Sequence, residues 1–248
     1  MRRAWSWLTA WWRRGQACIS GEKSRPELLA RLSHEMRTSL TGIIGYAEFL
    51  EAGTAEPMMN FTAKIIRESG LNLVRSSNSY IDLQYLQRGE LGLTCKRFLL
   101  SDVVRDVATR NHKKAWERDV RLVLTCSEEA QSMWVNSDPD RLTQALDALV
   151  FHAVEASEKW HVIRLELSVG ERHDCLLLSI ETAYDPTDQS QSDLAAEFWR
   201  DDDYRFRLQQ GPGVELALAK ALLQSLGVKA AYQTSLGSPT QLLLQFAC

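Results

Sequence analysis

Residues 31–45 carry the pattern of an amphipathic helix, and this stretch constrains the fold more than any other part of the chain. Its apolar residues recur every three or four positions: Leu32, Met36, Leu40, Ile43 and Ile44. On a helix they form a single apolar face. Such a face has to be buried against another element, so the stretch predicts a helix that packs against a partner.

The polar residues of the same stretch are neighbours on the predicted helix surface: His34, Arg37, Thr38 and Thr41. A histidine beside an acidic residue is a candidate nucleophile, because the neutral ring can attack through one nitrogen while a carboxylate takes the proton from the other. Glu35 supplies such a carboxylate. Thr38 follows His34 by about one turn, where its hydroxyl can orient a water. For a lone histidine, the simpler interpretation is a solvated side chain on an amphipathic helix.

The surroundings of His34 closely resemble the phosphoacceptor box of the sensor histidine kinases of two-component signalling. The resemblance rests on His34-Glu35-Met36-Arg37-Thr38-Ser39-Leu40, with Leu32 before it and Gly42-Ile43-Ile44-Gly45-Tyr46 after it. It implies that His34 accepts the phosphoryl group, with Glu35 as acid and base. It also implies that Thr38 positions the water of a phosphatase reaction and that Arg37 supports the site.

Two long helices are predicted around this box. Ser24, Pro26 and Glu27 have the spacing of a capping box, and the helix that they open should end near Glu51. A second helix should begin at Pro57 and end near 88–89, with an apolar stripe that includes Phe61, Ile65, Leu73, Tyr80 and Ile81. Two long helices joined by a short loop pack antiparallel. In the histidine kinases this hairpin is the dimerisation and phosphotransfer domain, so residues 24–90 are expected to form a four-helix bundle with a second copy.

Residues 91–248 alternate short strand patterns with helical ones, which predicts an α/β sandwich. The fold class is thus a helical hairpin followed by an α/β sandwich, and the resemblance implies the ATPase (Bergerat) type for the sandwich. The predicted strands are 93–99, 120–125, 133–136, 162–169, 175–181, 229–234 and 241–246. The predicted helices are one capped by Ser101 and ending near Trp116, then 138–157 and about 214–226.

Residues 138–146 look like the start of the asparagine-box helix of the histidine-kinase ATP-binding domain. That family usually carries two asparagines one turn apart on this helix, the second of which holds Mg²⁺. By register those positions are Ala148 and His152, and Glu155 replaces the basic residue that commonly follows. Imidazole is a poor ligand for Mg²⁺, which prefers oxygen, so His152 is interpreted as a packed histidine.

The two remaining nucleotide elements of that family are also altered. Thr182 stands in place of the adenine-reading aspartate, and Tyr184 and Pro186 replace the glycines that follow it. Gly211 and Gly213 survive from the glycine box, where a helix N-terminus could hold an anion. Glu215, however, occupies a family glycine position in the first helical turn, where its charge opposes a phosphate. The second domain is therefore interpreted as a degenerate ATPase fold, and ATP binding is doubtful.

Composition limits the partners and the compartment. The chain has 248 residues, a formal net charge of −3 and 5 cysteines without metal-ligand spacing, so neither nucleic acid nor a metal centre is indicated. The cysteines are scattered and odd in number, and no apolar run is long enough to cross a bilayer. Both features predict a cytoplasmic protein. Residues 1–23 are rich in tryptophan and arginine, which suits a peripheral contact with the inner membrane surface, the groove of a partner protein, or an exposed or loosely packed tail. The tryptophans are Trp5, Trp7, Trp11 and Trp12.

Three functions fit these residues. The first is phosphoryl exchange between His34 and response-regulator receiver domains, or dephosphorylation of a receiver, with Mg²⁺ supplied by the receiver and no tightly bound cofactor. The second is a pseudokinase that regulates a receiver or a true kinase by binding, as a homodimer or a heterodimer. The third is an active ATP-dependent sensor kinase with a divergent pocket. Replacing His34 separates the first from the second, and nucleotide binding separates the third from both.

Overall fold

The computed structural model describes residues 36–47, 50, 56–170, 175–182, 214–235 and 238–247. For a few residues within these ranges, Thr182 among them, the side chain is not described. The predicted capping box at 24–27 and several predicted site residues lie outside the described residues: His34, Glu35, Tyr184, Pro186, Gly211 and Gly213. The tryptophans of the first 23 residues lie outside them as well.

The first two helices form a hairpin. Residues 36–47 are helical (α1), and after a reversal of the chain α2 runs over Glu56–Gln87, with Pro57 in its first turn, where the missing amide is tolerated. Gly42 of α1 packs closely on Ser69 of α2, since a Cβ added at Gly42 would lie 3.0 Å from the Ser69 Oγ. Because glycine has no side chain, position 42 permits this close approach of the two helices.

The apolar stripe predicted for α2 is divided between two surfaces. Tyr80 and Leu83 pack against the hydrophobic core of the α/β domain, and Leu83 is 3% exposed. Phe61 and Ile81, which were predicted to belong to the same apolar stripe, are exposed in the single chain, as are Leu71 and Val74. The stripe is split because one side of α2 packs on the α/β domain, whereas the apolar side chains on another side stay exposed.

Beyond the hairpin, a small two-stranded sheet precedes and flanks the main one. Strands β1 (Lys96–Leu99) and β3 (Trp134–Ser137) pair antiparallel, with Lys96 opposite Ser137. Between them lie α3 (Leu100–Glu117), β2 (Arg121–Cys126) and the short α4 (Glu128–Gln131). The remaining elements are α5 (Pro139–Ala156), β4 (Val162–Val169), β5 (Cys175–Thr182), α6 (Val214–Ser225), β6 (Lys229–Ser235) and β7 (Ser238–Ala247).

The main sheet has five strands in the order β2-β4-β5-β7-β6 within the described residues. β2 and β4 are parallel and the other pairs are antiparallel. Alternate residues of β4 are buried (Ile163, Leu165 and Leu167), while Arg164 and Glu166 between them are exposed. The apolar sides of α3, α5 and α6 join the same core. This arrangement confirms the predicted helical hairpin followed by an α/β sandwich.

Three local predictions differ from the structure. The strand predicted from residue 93 begins only at Lys96. Ser101 does not cap α3: the N-cap is Leu99, without a side-chain hydrogen bond, and the Ser101 hydroxyl donates to the Gln131 carbonyl oxygen at 3.4 Å. The helix α4 was not predicted, because four residues are too few for a periodic pattern. No described helix is both long and apolar enough to cross a membrane.

Candidate functional site

The predicted phosphoacceptor box is described from Met36 onward, so the roles of His34 and Glu35 stay predictions. Arg37 and Thr38 are exposed on α1. Thr38 lies about 6 Å along the helix axis from Gly42, at 1.5 Å per residue.

Two contacts of α2 fix its docking on the α/β domain. In the first, the Asp82 carboxylate accepts hydrogen bonds from Arg141 Nη1 at 3.0 Å and from Gln144 Nε2 at 2.8 Å, both on α5. The Asp82 and Arg141 side chains are only 23% and 28% exposed, so solvent screens this pair less than a surface ion pair. This contact was missed from the sequence, since nothing local links residues about 60 positions apart.

The second contact is centred on Arg75, which the sequence analysis also missed. Its guanidinium carbon lies 4.3 Å from the centre of the Phe151 ring, a cation–π distance. Its Nε lies 3.8 Å from Oε1 of Glu215, the first-turn glutamate of α6. Arg75 is about 9 Å along α2 from Ser69, so it lies near the height of Thr38 on the hairpin. We call Arg75, Phe151, His152 and Glu215 the interdomain cluster.

His152 completes the interdomain cluster. Its Nε2 lies 3.3 Å from Oε2 of Glu215 without hydrogen-bond geometry, and its ring stands edge-on to Phe151. The Glu215 side chain is 15% exposed and the His152 side chain 22%. The two side chains predicted to replace family nucleotide positions are thus in contact with each other. The interpretation of His152 as a packed histidine stays a prediction.

The other predicted nucleotide positions on α5 are also committed elsewhere. Ala148 packs against the hydrophobic core and offers no oxygen to a metal. Glu155 contacts Lys114 Nζ of α3 at 2.9 Å and Nη1 of Arg118, the residue after α3, at 3.4 Å, so two cations balance its charge. In the sequence Glu155 is visible only as a departure from a basic family position, because both partners come from outside α5.

Thr182 ends β5, where its backbone pairs with Thr240 of β7. Its side chain is not described, so the prediction that it replaces an adenine-reading aspartate stays a prediction. The same holds for Tyr184, Pro186, Gly211 and Gly213. Within the described ranges, no three histidine, cysteine or acidic side chains converge in a way that would hold a metal ion.

The start of α5 is held by a strong N-cap. The Asp138 carboxylate accepts hydrogen bonds from the amides of Asp140 and Arg141 at 3.0 Å each and from the Thr94 amide at 2.7 Å. Burial by itself raises the pKa of Asp138, but these amides and the Arg141 charge outweigh it, so the pKa lies below its usual value. The cap anchors the helix that presents both Arg141 and His152.

A groove of about 670 Å³ lies between β1, α3 and α5. Its wall includes Asp147, whose pKa is raised by burial although Asn111 Nδ2 donates to it at 2.7 Å. The predicted nucleotide positions whose side chains are described do not line this groove: Ala148, His152, Glu155 and Glu215.

Comparison with known protein families places the hairpin. Residues 24–89 match the family described as "His Kinase A (phospho-acceptor) domain". The chain is 26% identical over 212 residues to the sensor histidine kinase GacS of Pseudomonas protegens, covering 84% of this chain and 23% of GacS. It is 29% identical over 228 residues to the sensor protein DivL of Caulobacter vibrioides, covering 91% of this chain and 28% of DivL. The chain thus spans about a quarter of the length of these curated relatives.

Solved structures agree on the fold. The chain is similar to the histidine kinase AdeS of Acinetobacter baumannii, with a TM-score of 0.61 and 19% identity over 86% of this chain and 97% of AdeS. It is also similar to the histidine kinase ThkA in its complex with the response regulator protein TrrA. There the TM-score is 0.60, with 17% identity over 95% of this chain and 64% of the other. A helical hairpin followed by an ATPase-like α/β domain is the architecture that these proteins share.

Proposed function

We propose that this histidine-kinase-type signalling chain, with its His Kinase A phosphoacceptor domain, exchanges phosphoryl groups with response-regulator receivers without using ATP. The observation that carries the proposal is the interdomain cluster. The two family nucleotide positions, His152 and Glu215, contact each other, and Glu215 also contacts Arg75 of the hairpin. A nucleotide would have to separate these groups before it could bind.

Electrostatics supports the same conclusion. A phosphate charge about 4 Å from the Glu215 carboxylate is opposed by roughly 4 kcal/mol at an effective dielectric near 20. Arg75 offsets part of this repulsion while it stays on Glu215. If a triphosphate drew Arg75 away, however, the Glu215 charge would be left exposed to it. Neither Ala148 nor His152 offers the oxygen ligand that Mg²⁺ prefers.

The proposed reaction needs only the phosphoacceptor box and a partner. A neutral nitrogen of His34 attacks the phosphorus of a receiver aspartyl phosphate. A new N–P bond forms as the O–P bond to the aspartate breaks, and Glu35 takes the proton from the other ring nitrogen. Arg37 supports the phosphoryl charge, and transfer to a second receiver reverses these steps. Mg²⁺ held by the receiver would neutralise charge on the phosphoryl oxygens.

The same box also serves dephosphorylation. Thr38 is exposed on α1, so its hydroxyl can reach a receiver docked on the hairpin. There it would orient the water that attacks the aspartyl phosphate, and this reaction consumes no ATP.

The dimer is formed by the apolar side chains that α2 leaves exposed, Phe61, Leu71 and Val74 among them. The known complex of ThkA with TrrA supplies a precedent for a receiver bound to a protein of this fold.

A pseudokinase is the second candidate, and the fixed docking of α2 favours it. Asp82 and Arg75 hold the hairpin against the α/β domain in one arrangement, which suits a protein that binds a receiver or a true kinase and holds it in one state. In that case His34 would be dispensable. Both candidates place the protein in the cytoplasm, with a receiver as partner in the first and a receiver or a true kinase in the second.

The experiment separates the two. The full chain is mixed with receiver domains from its own genome, each charged with phosphoramidate, and the phosphoryl group is followed to His34. The proposal expects acid-labile label on the parent protein, no label on His34→Gln, and transfer with slowed receiver dephosphorylation for Thr38→Ala. Retention of receiver regulation by His34→Gln would instead establish the pseudokinase.

A further inference from the structure

Two tryptophans stand out on the surface of the α/β domain, far more exposed than is usual for this side chain. Trp116 in the last turn of α3 is 78% exposed, and Trp160 in the connection between α5 and β4 is 80% exposed. The next most exposed large apolar side chains of the described chain reach only 56%. Neither tryptophan takes part in the predicted phosphoryl chemistry. We call the two residues the tryptophan patch.

The backbone brings the two tryptophans together. The Asp119 amide donates to the Trp116 carbonyl oxygen at 3.1 Å, and the Trp160 amide donates to the Asp119 carbonyl oxygen at 2.7 Å. One residue therefore bridges the two, although they lie 44 positions apart in sequence. The neighbouring Arg121 amide donates to the His161 carbonyl oxygen at 2.9 Å and continues the connection.

Two left-handed residues shape this corner. Asp119 has φ 58° and Trp160 has φ 69°, in the region that L residues seldom adopt and that is exceptional for a bulky side chain. The short backbone hydrogen bonds hold both residues there. The indole of Trp160 is therefore presented to solvent by a defined loop conformation.

Charged residues surround the tryptophan patch. Lys159 Nζ lies 3.1 Å from the Asp119 carboxylate, and Arg118 contacts Glu155. Lys113 and Arg121 are exposed, and within the described residues neither has a carboxylate oxygen within 4 Å. The patch is thus two indoles set in a charged border. Two cations of this border, Lys113 and Arg121, and one carboxylate, Glu117 beside Trp116, have no ion-pair partner in the described chain.

We propose that the tryptophan patch contacts the surface of a lipid bilayer. Tryptophan favours the boundary between headgroups and acyl chains, where its ring is apolar and its N–H can be hydrated, and lysine and arginine tips then reach lipid phosphates. A stable protein interface buries about 800 Å² on each partner and has an apolar centre larger than two side chains. Two protruding indoles within charged surroundings fit shallow insertion better than they fit a protein pocket.

The sequence carries the same chemistry a second time. The first 14 residues have arginines at both ends and four tryptophans between them: Trp5, Trp7, Trp11 and Trp12. This composition suits the same boundary. The charge near the patch gives the contact a preference among lipids. Lys113 and Arg121 would favour an anionic surface over a neutral one.

Vesicle binding by the full chain tests the inference. The parent protein, Trp116→Ala/Trp160→Ala and the control Trp134→Ala are sedimented with phosphatidylcholine vesicles, with or without phosphatidylglycerol. Trp134 is the control because it is also exposed, at 49%, but lies under Arg97 on β3. We expect roughly tenfold weaker partitioning of the double variant, unchanged partitioning of the control, and tighter binding of the parent to anionic vesicles.

Circular dichroism and an unchanged Tm verify that both variants are folded. The inference is overturned if the parent fails to sediment with either vesicle, which would leave a protein partner as the occupant. It is also overturned if the double variant partitions like the parent, since residues 1–23 alone would then account for binding. A blue shift of tryptophan emission on vesicles, reduced in the double variant, is the expected second signature.

Discussion

Single residues determine how α5 is positioned, and Asp138 is the most informative of them. Its carboxylate accepts hydrogen bonds from three backbone amides, two of its own helix and that of Thr94. The sequence Asp138-Pro139 indicates the start of a helix, because an aspartate cap before a proline in the first turn is a local pattern. The bond from Thr94 is not local, so only the structure could reveal that the cap also ties down the chain before β1.

Replacing Asp138 by alanine should lower the free energy of unfolding by about 1–2 kcal/mol, the usual cost of losing an N-cap. The cost falls at the upper end because three donors lose their acceptor and the residue is 4% exposed. Urea unfolding followed by circular dichroism measures it. Asp102→Ala is the matched control, since among the described residues that exposed carboxylate pairs with Arg105 alone, and its loss should cost at most a few tenths of a kcal/mol. Equal losses in both variants would contradict the account of the cap.

The lowered pKa of Asp138 also predicts a pH dependence. A carboxyl whose pKa is lower in the folded than in the unfolded state contributes stability that is complete above its ordinary pKa, about 3.9, and is lost as pH falls through the folded-state value. The difference in unfolding free energy between the parent and Asp138→Asn should therefore shrink below about pH 4. Unfolding curves at a series of pH values measure it, and a difference that grows on acidification would contradict the assignment.

At the scale of elements, the local patterns predicted most strands and helices to within a few residues. The alternation in β4 and the helical period of α5 are properties of short windows, so they can be found without tertiary information. The docking of α2 is different. Arg75 looks like any surface arginine in the sequence, and its role depends on Phe151 and Glu215 arriving from two other helices. The sequence could therefore single out His152 and Glu215 as departures from a family pattern, but it could not predict the contacts that these two side chains make.

Arg75→Ala should loosen the contact between the hairpin and the α/β domain by about 1 kcal/mol. It removes a cation–π contact and one partner of Glu215, and the estimate is kept low because the Arg75 side chain is 45% exposed. Hydrogen exchange at the start of α6 should become faster. Arg67→Ala, an exposed arginine on the same helix, is the matched control and should leave exchange unchanged. Unaltered exchange in Arg75→Ala would show that the cluster does not hold the two parts together.

At the scale of the whole molecule, the sequence predicted the architecture from two features that can be followed along the chain. These are the hydrophobic periodicity and the residues that begin and end helices and strands. It did not predict how the α2 stripe is divided, since Tyr80 and Phe61 have the same helical pattern but different neighbours. One part of the stripe packs on the α/β domain, and the other leaves apolar side chains exposed on the hairpin. The proposed dimer follows from that division.

Phe61→Glu should convert the dimer to a monomer, because a charge would enter the apolar centre of the proposed four-helix bundle. Phe61 is 56% exposed in the single chain, so the substitution should not disturb the monomer fold. Light scattering after size-exclusion chromatography measures the mass. Trp134→Glu, on the α/β domain, should stay dimeric. A dimer that persists in Phe61→Glu would place the contact on another surface.

The central claim is that the chain works without ATP, and a titration of the full protein with Mg²⁺ and ATP tests it most directly. Calorimetry should show no saturable binding, and γ-labelled ATP should leave no acid-labile label on the parent that is absent from His34→Ala. Saturable binding together with label that depends on His34 would contradict the account. ATP would then have displaced Arg75 from Glu215, and the chain would be an active sensor kinase.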